Sequence, residues 1–151
     1  MSRSLEIKIC GINDEYSMAT ALECEVEYIG LVFFKNSPRN VSIDFSKELL
    51  KNRNTYSKIV ALTVNPDDNL ISKIILNIQP DFIQLHGSET PDRCIEIKNQ
   101  FNVPIIKGIG VKTRENLIDS TKKFQNHSDI LILDAPSMTL PGGNGSKFNW
   151  N

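Results

Sequence analysis

The sequence predicts an α/β protein built from repeated strand–helix units around a parallel sheet. Three observations carry this. Apolar runs such as Tyr28-Ile29-Gly30-Leu31-Val32-Phe33-Phe34 and Ile59-Val60-Ala61-Leu62 are nearly continuous, as in strands covered on both faces. These runs end near Cys10, Phe34, Val64, Leu85, Val111 and Asp134, roughly 25 residues apart, which is the length of a βα unit. The segments between them repeat apolar residues at helical spacing.

Taken in order, the first helix is expected over 13–26. Asn13 is a candidate N-cap, with Met18, Ala19, Leu22 and Val26 on one face. The second, over 43–53, groups Phe45, Leu49 and Leu50. The third, over 66–78, has Pro66 near its first turn and Leu70, Ile71, Ile74 and Ile78 inward. Thr90-Pro91 opens the fourth, with Cys94, Ile95 and Ile97 apolar. Thr113 caps the fifth, and Glu115 sits in its first turn. The count is six strands and five helices in one domain spanning 1–151.

Two architectures accept repeated βα units: an open doubly wound sheet and a closed barrel. Polar residues inside the strands lean toward the barrel. Side chains alternate along a strand, so Lys8 shares a face with Cys10, and Gln84 with His86. Lys107 interrupts Val103-Pro104-Ile105-Ile106 in the same manner. Such residues suit a lumen whose upper layer lines a site; strand ends reaching solvent would look similar.

Composition narrows the function classes. The chain has 151 residues, 40% hydrophobic and 23% charged, with a net charge of −1. That charge gives no reason to expect nucleic acid or a membrane surface as partner. The apolar runs fall far short of the ~20 residues that cross a bilayer, and no secretory h-region follows Met1. Cys10, Cys24 and Cys94 are an odd, widely spaced set, which points to reduced thiols in a cytoplasm rather than a disulfide frame or metal site. Cys24 and Cys94 fall on apolar helix faces and are assigned to packing.

The residues that could carry chemistry stand at strand ends. Cys10 closes strand one, and Gly11 after it lets the chain turn tightly. Asp134 closes Ile130-Leu131-Ile132-Leu133. In a barrel the C-terminal strand ends carry the catalytic groups, so this thiol and carboxyl would open onto one face. Arg39, in Ser37-Pro38-Arg39, can grip a carboxylate or phosphate through two parallel hydrogen bonds. His86 ends strand four in Gln84-Leu85-His86-Gly87, and His127 is assigned nothing. Gly142-Gly143-Asn144-Gly145 is a loop able to present backbone N–H groups or fold over a site. Gly108-Ile109-Gly110-Val111-Lys112-Thr113 has Thr where a dinucleotide fingerprint needs its third glycine, so a Rossmann reading is rejected.

Together these residues resemble the phosphoribosylanthranilate isomerase family of tryptophan biosynthesis. The matching blocks are Lys8-Ile9-Cys10-Gly11, Gly30-Leu31-Val32-Phe33, Ser37-Pro38-Arg39-Asn40-Val41-Ser42, Gln84-Leu85-His86-Gly87, Leu133-Asp134, and Gly142-Gly143-Asn144-Gly145 with Phe148-Asn149-Trp150. They follow the family's order and spacing over the whole chain. Asn144 and Asn149 stand where the family usually has Thr and Asp.

The resemblance implies a (βα)8 TIM barrel with no cofactor and no metal. The implied reaction is the Amadori rearrangement of N-(5-phosphoribosyl)anthranilate, a small phosphosugar, to 1-(2-carboxyphenylamino)-1-deoxyribulose 5-phosphate. Asp134 would be the general acid on the ring oxygen, and Cys10 the general base at C2. Arg39 would bind the anthranilate carboxylate, with His86 in a supporting substrate-binding role. A thiolate base asks for nearby positive charge, which Lys8 could supply. An acid at neutral pH asks for an enclosed Asp134.

Such barrels typically have ~250 residues, and their phosphate sits at the loops after strands 7 and 8. The expectation is therefore a partial barrel that lacks the last two βα units and is inactive alone. The alternative is a non-catalytic barrel fragment whose sheet another chain completes. Open edges would forgo roughly ten ladder bonds at about 1 kcal/mol each, against a domain stability of ~5–15 kcal/mol, so self-association is expected. A different phosphosugar barrel or an open flavodoxin-like sheet is the third possibility.

Overall fold

The computed structural model describes residues 5–135. Strands and helices alternate: β1 (Lys8–Cys10), α1 (Glu15–Glu23), β2 (Tyr28–Phe33), α2 (Ile43–Leu50), β3 (Lys58–Thr63), α3 (Asp68–Ile78), β4 (Phe82–Leu85), α4 (Pro91–Phe101), β5 (Ile105–Gly110), α5 (Arg114–Phe124) and β6 (Ile130–Asp134). Each helix begins at a side chain that accepts a backbone N–H: Asp14 from Ser17, Ser42 from Phe45, Asp67 from Leu70, Thr90 from Arg93 and Thr113 from Asn116. The first cap is Asp14 rather than the expected Asn13. Its carboxylate also accepts from the Ser17 hydroxyl and brings negative charge to the positive end of the helix dipole. Helix α3 likewise starts after Asp67, two residues beyond Pro66, and α2 stops at Leu50, short of Arg53.

All six strands are parallel and lie in chain order, β1 to β6. A doubly wound sheet reverses direction at a switch point. This one never reverses, so the open flavodoxin-like alternative is overturned. Right-handed crossovers in unbroken order put every helix on the same face. Over the described residues the sheet is thus the wall of a partial (βα)8 barrel, with six parallel strands and five helices.

Burial follows residue parity. Odd-numbered strand residues (Ile29, Leu31, Ile59, Ala61, Ile83, Leu85, Ile105 and Ile109) pack with Met18, Leu49, Ile71, Ile74, Cys94, Ile97 and Phe124 of the helices. Even-numbered residues Tyr28, Val60 and Ile106 form a smaller inner cluster with Phe82, Ile130 and Ile132. Lys8, Cys10, Gln84 and Asp134 are even and face inward with them.

Lys107 is odd, and this corrects the lumen placement expected from sequence. It points outward under the helices, where its Nζ donates to Leu85 O (3.2 Å), Gly87 O (2.8 Å) and Glu89 Oε2 (2.8 Å). A lysine survives there because all three of its protons are satisfied and a carboxylate balances its charge.

Among the described residues β1 pairs only with β2, and β6 only with β5. Beside these edges the outer-face side chains Ile9 and Leu133 remain 41% and 37% exposed.

Candidate active site

Cys10 is the last residue of β1, where the chain leaves the sheet. Gly11 takes φ +88°, a conformation that suits glycine, and donates its N–H to Gly30 O at 2.8 Å. The Arg39 side chain lies directly over Gly11, so a methyl group there would meet the guanidinium arm. Arg39 Nη1 donates to Cys10 O at 3.4 Å. The arginine is delivered by the turn after β2. There Asn40 N donates to Ser37 O, Ser37 Oγ accepts from Arg39 N (3.2 Å), and Val41 returns to Val32 O.

On the inner face Gly30 leaves room for two neighbours from β1. Cys10 Sγ and Lys8 Nζ both lie within 3.0 Å of the point a Gly30 Cβ would occupy. The ammonium is thus set beside the thiol.

Across the sheet, His86 follows β4 and is held by its N–H to Thr63 O at 2.9 Å. Its ring crosses the inner surface at Gly108, whose missing side chain leaves the space the imidazole fills. His86 Nε2 reaches Asp134 Oδ2 at 3.2 Å, and Gln84 Nε2 lies 3.0 Å from His86 Nδ1. Burial holds the imidazole below its usual pKa, against an opposing pull from the Asp134 hydrogen bond. The ring is therefore neutral at pH 7. Asp134 Oδ1 accepts its second bond from Ala135 N at 2.8 Å. Its side chain stays 32% exposed. The enclosure expected from sequence is incomplete at this carboxyl.

All four residues singled out from sequence, Cys10, Arg39, His86 and Asp134, line one cavity of about 360 Å³. Val32, Phe34, Leu62, Val64 and Ile132 form its apolar walls, and Lys8 and Gln84 join the polar set. This is a cleft at the C-terminal ends of parallel strands, where barrel enzymes place their chemistry. It offers a thiol, a carboxyl backed by a neutral imidazole, and a guanidinium. Among the described residues no group of three or more His, Cys, Asp or Glu is placed to hold a metal.

A family model described as N-(5'phosphoribosyl)anthranilate (PRA) isomerase matches residues 7–151. The chain belongs to this family. An N-(5'-phosphoribosyl)anthranilate isomerase from Rhizobium rhizogenes is 36% identical over 149 residues, covering 97% of this chain and 67% of the relative. One from Chelativorans sp. is 35% identical over 150 residues, covering 97% and 68%. The phosphoribosyl anthranilate isomerase of Thermotoga maritima superposes with a TM-score of 0.80 at 22% identity, over 95% of this chain and 67% of that one. Another isomerase structure, crystallised with reduced 1-(o-carboxyphenylamino)-1-deoxyribulose 5-phosphate, superposes at 0.77 with 23% identity, over 87% and 66%. The chain thus spans about two thirds of the length of these relatives. The family is one of isomerases in tryptophan biosynthesis.

Sequence reasoning missed the residues that support the site rather than form it. Glu89 is buried and accepts from Asn65 N, Gly87 N and Lys107 Nζ. Its partners come from three separate segments, so no local pattern announces it. Gly30 and Gly108 read as ordinary strand glycines until the side chains crossing them are seen. The loop Gly142-Gly143-Asn144-Gly145 and the block Phe148-Asn149-Trp150 lie outside the described residues.

Proposed function

We propose that the cavity bounded by Cys10, Arg39, His86 and Asp134 carries out the Amadori rearrangement of N-(5-phosphoribosyl)anthranilate. Family membership supports the reaction. The observation that supports the roles is the single cavity, with thiol and carboxyl entering it from β1 and β6.

Asp134 gives its proton to the furanose ring oxygen. The C1–O bond breaks, and the aniline nitrogen's lone pair forms the C1=N bond of an open-chain iminium. Cys10, as thiolate, removes the proton from C2, and those electrons move through C1–C2 to neutralise the nitrogen. The resulting enol gains a proton at C1, releases its O2 hydroxyl proton and becomes the ketone product. Arg39, over Gly11 and beside Cys10, meets the anthranilate carboxylate and so fixes C2 near the sulfur. His86 holds the carboxyl of Asp134 in place.

The substrate is a small phosphosugar, as the ligand of the related crystal structure suggests, and the reaction needs neither cofactor nor metal. The chain forms a single incomplete barrel domain in the cytoplasm, without nucleic-acid or membrane partners. Among the described residues no helix is long and apolar enough to cross a membrane. The edges of β1 and β6, unpaired among the described residues and with Ile9 and Leu133 beside them, support a second role. Either edge can pair with another chain, giving self-association or a barrel completed in trans.

Complementation of a tryptophan auxotroph lacking this step tests the assignment, using the chain alone and the chain extended by the C-terminal third of the Rhizobium rhizogenes relative. The chain alone should not restore growth and the extended form should, while the extended form's Cys10→Ala and Asp134→Ala variants should not. Growth with Cys10→Ala at the parent's rate would overturn the base assignment.

A further inference from the structure

Gln84 lines the same cavity but has no part in the chemistry above. It is 2% exposed and sits on β4 one inward position below His86. Its amide nitrogen can only donate, and it lies 3.0 Å from His86 Nδ1. A neutral imidazole that accepts at Nδ1 carries its proton on Nε2, and Nε2 faces Asp134 Oδ2 at 3.2 Å. Gln84, His86 and Asp134 therefore form one directed chain of hydrogen bonds.

The other end of the amide supports this direction. Among the described residues Gln84 Oε1 is buried with no partner. Turning the amide over would set its carbonyl against Nδ1 and send its N–H groups to the place where Oε1 finds none. Turned over, both amide N–H groups would lie without an acceptor, whereas the present orientation gives one of them His86 Nδ1.

We propose that Gln84 is a positioning residue that fixes the ring tautomer of His86 and, through it, the hydrogen bond made to Asp134. This rests on the isomerase reading only for its purpose. An Nε2–H aimed at Oδ2 orients the carboxyl toward the ring oxygen and receives the negative charge left once its proton has gone.

Imidazole ¹⁵N spectra of the chain test the proposal without needing turnover. The protein has two histidines, and a His127→Gln variant assigns the remaining signals to His86. The parent should show a protonated Nε2 and an unprotonated, hydrogen-bonded Nδ1 at neutral pH. In Gln84→Glu the carboxylate accepts from Nδ1, so Nδ1 should become protonated. Should that variant fail to fold, Gln84→Met removes the donor, and Nδ1 should move downfield toward its unbonded position. A parent protonated at Nδ1, or His86 signals unchanged in the folded variants, would overturn the proposal.

In the extended form that complements, Gln84→Met should lower kcat about tenfold with little change in KM. A KM rise with kcat unchanged would make Gln84 a substrate contact and overturn the positioning role. If the ¹⁵N shifts follow prediction while no form turns over, the isomerase reading fails and the tautomer assignment stands.

Discussion

Replacing Lys107 by Met should destabilise the fold far more than its strand position suggests. The lysine side chain is 3% exposed and that of Glu89 is 2% exposed, with their charged atoms 2.8 Å apart. Removing the ammonium leaves a carboxylate buried with only the N–H groups of Asn65 and Gly87 for company. It also leaves Leu85 O and Gly87 O without a donor they now share. Breaking a buried pair in this way costs about 3–5 kcal/mol, or roughly 10 °C in Tm for a chain of this size. Glu89→Gln in the same background removes the stranded charge and keeps an acceptor for the backbone donors, so the double variant should recover about half the loss. Urea denaturation of the parent, both single variants and the double variant gives the coupling directly. A Lys107→Met protein melting within 2 °C of the parent, or strictly additive effects, would mean that the two charges do not depend on each other. The pair would then be a bystander rather than the clamp on residues 85–89 that carries His86.

Other changes probe the site itself. Gly108→Ala places a methyl group against the His86 ring; the imidazole should swing away from Asp134, visible as a changed His86 ¹⁵N signature, with turnover down about tenfold or more. Gly30→Ala crowds both Cys10 Sγ and Lys8 Nζ, so alkylation of Cys10 should change in rate while exposed Cys24 reacts as before. Arg39→Lys gives up paired hydrogen bonding to a carboxylate, and KM should rise about tenfold or more with a smaller change in kcat. His86 also sets a pH dependence. Burial lowers its folded-state pKa below 6.5, so the unfolded chain binds the proton more readily. Stability should therefore fall as pH drops through 6.5 and below, and thermal melts of His86→Gln should show a shallower loss between pH 7 and 5.

Much of the architecture was legible because parallel strands covered on both faces must be apolar along their length. Tyr28-Ile29-Gly30-Leu31-Val32-Phe33 and Ile130-Leu131-Ile132-Leu133 could hardly be anything else. The inward pairs Lys8/Cys10 and Gln84/His86 were legible for a related reason: alternation fixes which residues share a face. Lys107 was misplaced because alternation says nothing about which face is the lumen. Only register against β4, which sets Lys107 beside Leu85, decides that. Periodicity alone leaves strand order open, since βα repeats of one length serve both open and closed sheets; the family resemblance supplies it. The glycines at 30 and 108 carry no sequence mark of what crosses them, and Glu89 is tied to residues 18 and more positions away.

Groups from opposite ends of this sheet are proposed to act on a single molecule. The most direct measurement is a titration of the chain with reduced 1-(o-carboxyphenylamino)-1-deoxyribulose 5-phosphate, followed through backbone amide shifts. The amides of Gly11 and Ala135, next to the sulfur and the carboxyl, should move together along one saturation curve. Movement of one without the other, or two curves with different midpoints, would contradict it.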